Sequence, residues 1–154
     1  MKTYLILIFI LITCLLVGCN NEAPFSQHQV KTVYLNTSSY ESNQEYQQML
    51  ELINRSAKAI NERDSKALLE LFSDKIENSK NLALSNYDYQ AKIQETKLLK
   101  LDQPIFQTNE TDPNKTNVSI TVEYLEKDSK DTKKESRTYY CQKVDNKWVI
   151  AFID

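Results

Sequence analysis

Hydrophobic residues first recur at helical spacing in the middle of the chain. Tyr46, Met49, Leu50, Ile53, Ala57 and Ile60 form one stripe, with Glu51, Arg55, Lys58 and Glu62 on the opposite face. Ser42-Asn43-Gln44-Glu45 precedes them and fits a capping box, in which the Ser hydroxyl and the Glu carboxylate satisfy otherwise unpaired N–H groups. A long first helix is predicted. Asp64 suits the cap of a second helix, and Leu68, Leu69, Leu71 and Phe72 supply its buried face. Asp74 and Glu77 repeat the capping spacing and predict a short third helix carrying Ile76, Leu82 and Leu84.

After Tyr87 the period falls toward two. Residues 93–101 read as a strand, and the adjacent Leu98 and Leu99 break its alternation, which predicts a bulge. Residues 105–108 follow Pro104 as another short strand. Val118, Ile120, Val122 and Tyr124 alternate with Ser119, Thr121 and Glu123, the pattern of a half-buried strand. Residues 126–135 are densely charged with no large apolar side chain and read as a solvated hairpin tip rather than a binding loop. The last two strands, 137–144 and 147–153, are joined by Asp145-Asn146, a pair that tolerates the positive φ of a tight hairpin.

In that last strand Trp148, Ile150 and Phe152 alternate with Val149, Ala151 and Ile153, so both faces are apolar. A strand apolar on both faces is normally covered on both. Helices can cover only the concave face of the sheet. A cover for the convex face is therefore expected: a second copy in a homodimer, or residues 30–35 (with Val30, Val33, Tyr34 and Leu35) docked across it as a short strand.

The N-terminus adds a targeting signal. Met1-Lys2-Thr3 is followed by an apolar run from Tyr4 to Val17 and then by Gly18-Cys19-Asn20-Asn21. Crossing the roughly 30 Å hydrocarbon core takes about 20 apolar residues, and this run has about 14, so it reads as a secretory signal rather than a span. Leu16-Val17-Gly18-Cys19 resembles the lipobox of bacterial lipoproteins. That resemblance implies cleavage between Gly18 and Cys19, with diacylglycerol on the Cys19 thiol. Two or more acyl chains hold a protein stably on a membrane, so the mature chain is expected on the extracytoplasmic face of the cell membrane, anchored without crossing it. Residues 1–18 are then a cleaved signal, and 19–41 are the lipidated cysteine and a tether rich in Asn, Ser, Gln and Thr. A folded domain occupies 42–154.

Composition narrows the chemistry. Loss of Lys2 with the signal leaves 18 basic and 21 acidic side chains, a net charge of −3, and no basic stripe for nucleic acid. The single glycine is Gly18, so the mature chain has no glycine-rich loop to cradle phosphate, and no cofactor is expected. Cys14 leaves with the signal and Cys19 carries lipid, which makes Cys141 the one remaining thiol; with His28 as the lone histidine, no metal site is expected. Cys141 lies mid-strand without a neighbouring His and reads as a small buried hydrophobe, not a nucleophile.

Residues 60–72, where a long helix breaks at an Asp into a second one, and Val144-Asp145-Asn146-Lys147-Trp148-Val149-Ile150, a hairpin entering a strand through Trp, carry a further resemblance. Helices first and then a curved antiparallel meander are similar in order to the nuclear transport factor 2-like superfamily, an α+β cone. The resemblance covers roughly residues 42–154, although the glycines usual in the helix-to-helix turn and the last hairpin are missing. It implies a fold and barely touches function. Some superfamily members, ketosteroid isomerase and scytalone dehydratase among them, place Asp, Tyr or His inside the cone. Tyr46, Tyr87, Asp88, Tyr89, Tyr139 and Tyr140 are the available types, but none aligns with a catalytic motif, so no catalytic residue is assigned. The leading expectation is a non-catalytic envelope protein that binds another protein or a small apolar ligand. The alternatives are a cone-pocket enzyme of isomerase or dehydratase type and an assembly component of an envelope secretion or conjugation machine.

Overall fold

The computed structural model describes Lys31–Asp154; the signal, the lipobox residues Gly18 and Cys19, His28 and Val30 lie outside the described residues. Helix α1 (Gln44–Glu62) buries Met49, Leu50, Ile53, Ala57 and Ile60, the stripe expected from spacing. Its cap is Asn43 rather than Ser42: Asn43 Oδ1 accepts from the N–H groups of Glu45 and Tyr46, both at 3.1 Å. Asn is as good a cap as Ser, and starting one residue later leaves Glu45 to pair with Lys143 on the sheet.

The helix ends at Arg63 in the left-handed region (φ 60°, ψ 34°), the place where a glycine would have been unstrained. Arg63 is held there by its own side chain, whose Nη1 donates to Ile60 O (3.1 Å) and Thr96 O (3.0 Å). Asp64 caps the short helix α2 (Ser65–Leu69) by accepting from Ala67 N at 2.9 Å. The chain beyond it buries Leu71 and Phe72 and meets the sheet edge, where Ile150 N donates to Leu71 O (2.9 Å).

Helix α3 (Ser79–Tyr87) exists, starting after Ile76, and turns its smaller residues and Tyr87 inward. Ser79, Ala83 and Tyr87 are buried, while Leu82 and Leu84 are exposed. Asp74 and Glu77 do not cap it; Asn78 stands at the cap position, and Asp74 instead pairs with Lys80 (2.8 Å). The helix runs directly into a π-helical turn, Asp88–Ile93, so Ile93 closes a helix instead of opening a strand.

Four strands form an antiparallel meander in the order β1 (Lys97–Thr108), β2 (Lys115–Leu125), β3 (Lys133–Val144) and β4 (Lys147–Ile153). The predicted bulge falls where expected, between Leu98 and Lys100. A second irregularity between Asp102 and Ile105 absorbs Pro104, which has no N–H to give, and thereby joins the two expected strands into one. Between β3 and β4, Asp145 (φ 49°) and Asn146 (φ 66°) both take the positive φ of a type I′ hairpin.

A register shift in β4 overturns the simple alternation. Tyr140 pairs with Phe152 but Cys141 pairs with Ile150, which leaves Ala151 as the extra residue. Trp148 and Ile150 are buried, yet Phe152 faces outward and Ile153 inward. The shift exchanges Ile153 for Phe152 on the outer surface of the sheet, where Ser119, Thr121 and Thr138 are half-exposed.

The segment before α1 does dock, at an edge and not across the convex face. Val33 pairs in parallel with Lys100 of β1; Val33 N donates to Leu99 O (2.8 Å) and Leu101 N to Val33 O (2.9 Å). Leu35 is buried in the core. The stretch that polarity alone assigns to the tether thus contains, from Thr32 to Leu35, residues bonded to the domain.

Candidate functional site

The inner face of β3 carries the most unusual polar group. Residues Glu135, Arg137, Tyr139 and Cys141 alternate along it from the rim into the core, and the Arg137 side chain is almost wholly enclosed. A charge this deep must be paired. Arg137 Nη1 donates to Gln90 Oε1 (3.0 Å), supplied by the π turn, and Nη2 bonds the Glu135 carboxylate. Burial alone would lower the Arg137 pKa, but the neighbouring Tyr139 and Glu135 hold it above its ordinary value. Beside this pair, burial first and then the Glu135 charge push the Tyr124 hydroxyl up. Deeper still, Tyr139 Oη lies 3.2 Å from Ser56 Oγ of α1, which also bonds Ile53 O (2.8 Å).

This arrangement is a structural tie between the π turn, β3 and α1. The middle of the cone is packed: Tyr139, Met49, Leu50, Ile53, Ile60, Leu98, Val118, Ile120, Val122 and Ile150 are all fully buried. Sequence reasoning passed over Arg137 because it opened a predicted strand. Its place two residues before Tyr139 and four before Cys141 was the available signal that it faces inward.

The candidate acid–base residues are not brought together. Tyr46 stacks on Phe106 (ring centroids 3.9 Å apart, planes 5° apart) with Tyr40 edge-on to Phe106 (5.4 Å), an aromatic cluster between α1 and β1. Tyr87 is buried under α3, whereas Asp88 pairs with Lys92 at the surface (2.8 Å). Tyr89 is exposed and Tyr140 lies on the outer face of the sheet beside Phe152 (5.7 Å). Cys141 is buried in the core, and burial pushes its thiol up to about 12. A thiol of that kind is a poor nucleophile at neutral pH.

Clefts open on the outside, and two of them flank α1 and α3. One, of 290 Å³, is polar and lies between α1 and the last hairpin, lined by Gln48, Glu51, Leu52, Arg55, Asn146, Lys147 and Trp148. The other, of 490 Å³, runs along α3 and the π turn and exposes Leu84, Tyr89 and Ile93.

The arrangement of helices on one face of a four-stranded meander matches solved structures as a whole. A protein of unknown function from Mycobacterium tuberculosis superposes with a TM-score of 0.54 at 14% identity, over 71% of this chain and 69% of that one. A protein of unknown function with a cystatin-like fold from Nostoc punctiforme gives 0.53 at 11%, over 69% and 85%. The fold is nuclear transport factor 2-like. A protein named as a candidate scytalone dehydratase, from Novosphingobium aromaticivorans, gives 0.51 at 11%, over 71% and 80%. At such identities the likeness carries the fold and leaves the chemistry to the residues present. No protein-family model and no curated protein sequence matches the chain.

Proposed function

We propose that this chain is a membrane-anchored extracytoplasmic lipoprotein whose nuclear transport factor 2-like domain binds another protein and performs no catalysis in its cone. The observation that carries the reading is the filled interior. Tyr139 and the aliphatic side chains around it occupy the centre of the cone, and Arg137, the one buried charge among the described residues, is committed to Glu135 and Gln90. Binding then falls to the outer surface.

The best-suited outer region is the convex face at the β3–β4 pairing. Tyr140 and Phe152, 36% and 37% exposed, stand side by side there, and aromatic residues are enriched where proteins meet. The partner is either a second copy or another component of an envelope assembly. The anchor part of the reading rests on Leu16-Val17-Gly18-Cys19.

Crosslinking in the native host tests it, comparing the full-length protein with Cys19→Ala and with Tyr140→Ser/Phe152→Ser. One discrete adduct is expected, lost without the anchor and reduced by the paired substitution. No adduct from folded, anchored protein would shift the reading to a small ligand or a substrate.

A further inference from the structure

The outer side of α3 and its π turn carries an apolar strip that no other part of the described domain covers. Asn81, Leu84, Ser85, Asp88, Tyr89 and Ile93 line one cleft, and Leu84, Tyr89 and Ile93 are 38%, 54% and 71% exposed. The π turn explains the alignment. Its extra residue rotates the chain so that Ile93, rather than Lys92, continues the strip begun by Leu84 and Tyr89. Inward, the same helix buries Ala83, Tyr87 and Ala91, so it is apolar on two sides.

The position of this strip relative to the chain's entry into the domain indicates what covers it. Ile93 is four residues before β1, which begins where β2 ends (Lys97 opposite Leu125) and β3 begins (Tyr124 opposite Lys133). Val33 pairs in parallel with Lys100, and Thr32 Oγ1 donates to Leu98 O (3.1 Å), so the chain upstream of Thr32 leaves at this same end of the sheet. From Cys19 to Lys31 there are 12 residue steps, about 43 Å at full stretch. A folded unit of this size is roughly 35 Å across. A random-coil segment of 12 residues averages only about 19 Å end to end, less than the width of the domain, so an anchor at Cys19 would favour the end that bears the strip.

Its charges also suit a lipid surface. Three carboxylates beside the strip are matched by lysines, Asp88 with Lys92 (2.8 Å), Glu95 with Lys127 (2.5 Å) and Glu126 with Lys133 (2.6 Å), while Asp128 and Asp131 on the hairpin tip flank Lys130 without an ion pair among the described residues. Lys31 and Lys97 add positive charge at the same end. Tyr with aliphatic neighbours is the side-chain combination favoured at the boundary between headgroups and acyl chains.

We propose that Leu84, Tyr89 and Ile93 rest on the surface of the bilayer to which Cys19 is anchored, setting the domain in one orientation on the membrane. The inference rests on the anchoring proposed above. Tethering makes the contact intramolecular, so a strip too small to recruit the domain from solution is sufficient to orient it. In that pose the tip of the β2–β3 hairpin lies near the headgroups and the opposite end of β1, at Thr108, points away.

The test uses the full lipidated protein in vesicles of phosphatidylcholine and phosphatidylglycerol, with an environment-sensitive dye on Ser85→Cys beside the strip or on Gln107→Cys at the far end of β1. Cys19 carries lipid and Cys141 is buried, so the introduced thiol is the one labelled. Brominated lipid is expected to quench the dye at position 85 and not at 107, and Leu84→Ser/Tyr89→Ser/Ile93→Ser is expected to abolish the quenching. Equal, negligible quenching at both positions from protein that floats with the vesicles would overturn the proposal. So would a dye at 85 shielded only at high protein density, which assigns the strip to a second copy. Failure to float, with no lipid mass on Cys19, would refute the anchor itself and is read separately by mass spectrometry.

Discussion

Asn54 holds both main-chain groups of Leu35: its Nδ2 donates to Leu35 O and its Oδ1 accepts from Leu35 N, each at 2.9 Å. Two turns along α1, Asn61 does the same for Leu98, donating to its O (2.9 Å) and accepting from its N (2.8 Å), and also reaches Thr32 Oγ1 (2.8 Å). One face of one helix thus substitutes for a neighbouring strand, first for the docked segment and then for the start of β1. Removing a partner from a part-buried main-chain group costs about 1–3 kcal/mol. Asn54→Ala and Asn61→Ala are each expected to lose stability in that range in urea. Asn54→Ala is also expected to speed hydrogen exchange at the Val33 and Leu35 amides; unchanged exchange there would contradict the role given to Asn54.

Arg63 gives a second prediction, because strain and bonding oppose each other at one residue. A non-glycine residue in the left-handed region costs roughly 1–2 kcal/mol. The side chain offsets this through its bonds to Ile60 O and Thr96 O. Arg63→Ala keeps the strain and loses the bonds, so it is expected to destabilise by about 1–2 kcal/mol. Arg63→Gly loses both and is expected within about 0.5 kcal/mol of the parent. Chemical denaturation of the two variants checks the order, and equal losses would refute the compensation.

The same residues mark what the sequence could and could not disclose. The α1 stripe, the Asp64 cap, the Leu98–Leu99 bulge and the Asp145-Asn146 turn were legible because each depends on neighbours within a few positions. The inward face of α3 was not legible, because Leu82 and Leu84 are apolar while tertiary packing chose Ala83 and Tyr87. Ala151 gave no local sign that it would bulge, and its single extra residue turned Phe152 to the outside. Arg137 was missed for the converse reason: its partners Gln90 and Glu135 satisfy it only after the π turn has closed on β3.

That buried pair can be probed by contrast. Gln90→Ala takes one partner from an enclosed guanidinium and is expected to cost about 1–3 kcal/mol. Arg137→Met removes the charge and fills the space with an apolar chain, a change that is often neutral or stabilising for buried ion pairs. Thermal melting of both variants should therefore rank Arg137→Met as the more stable. The reverse order would mean that Arg137 serves more than packing, and would reopen a ligand role at the rim beside Glu135 and Tyr124.

Cys141 provides the pH test. Burial raises its thiol from an ordinary 9.0 to about 12 in the folded chain. An acid whose folded pKa is raised keeps its proton in the native state while the unfolded chain ionises, so its contribution to stability is full below about 9 and lost as pH rises toward 12. The loss is about 1.4 kcal/mol per pH unit once the unfolded thiol has ionised. Lysines and tyrosines titrate in the same range, so the measured quantity is the difference between parent and Cys141→Ala. The parent's advantage over Cys141→Ala in urea should be constant from pH 6 to 8 and shrink between 9 and 11. At pH 8 a thiol reagent should leave the native, lipidated protein unmodified and label it fully in urea. Rapid native labelling, or an advantage flat through pH 11, would mean that the thiol is less enclosed than the packing around β3 requires.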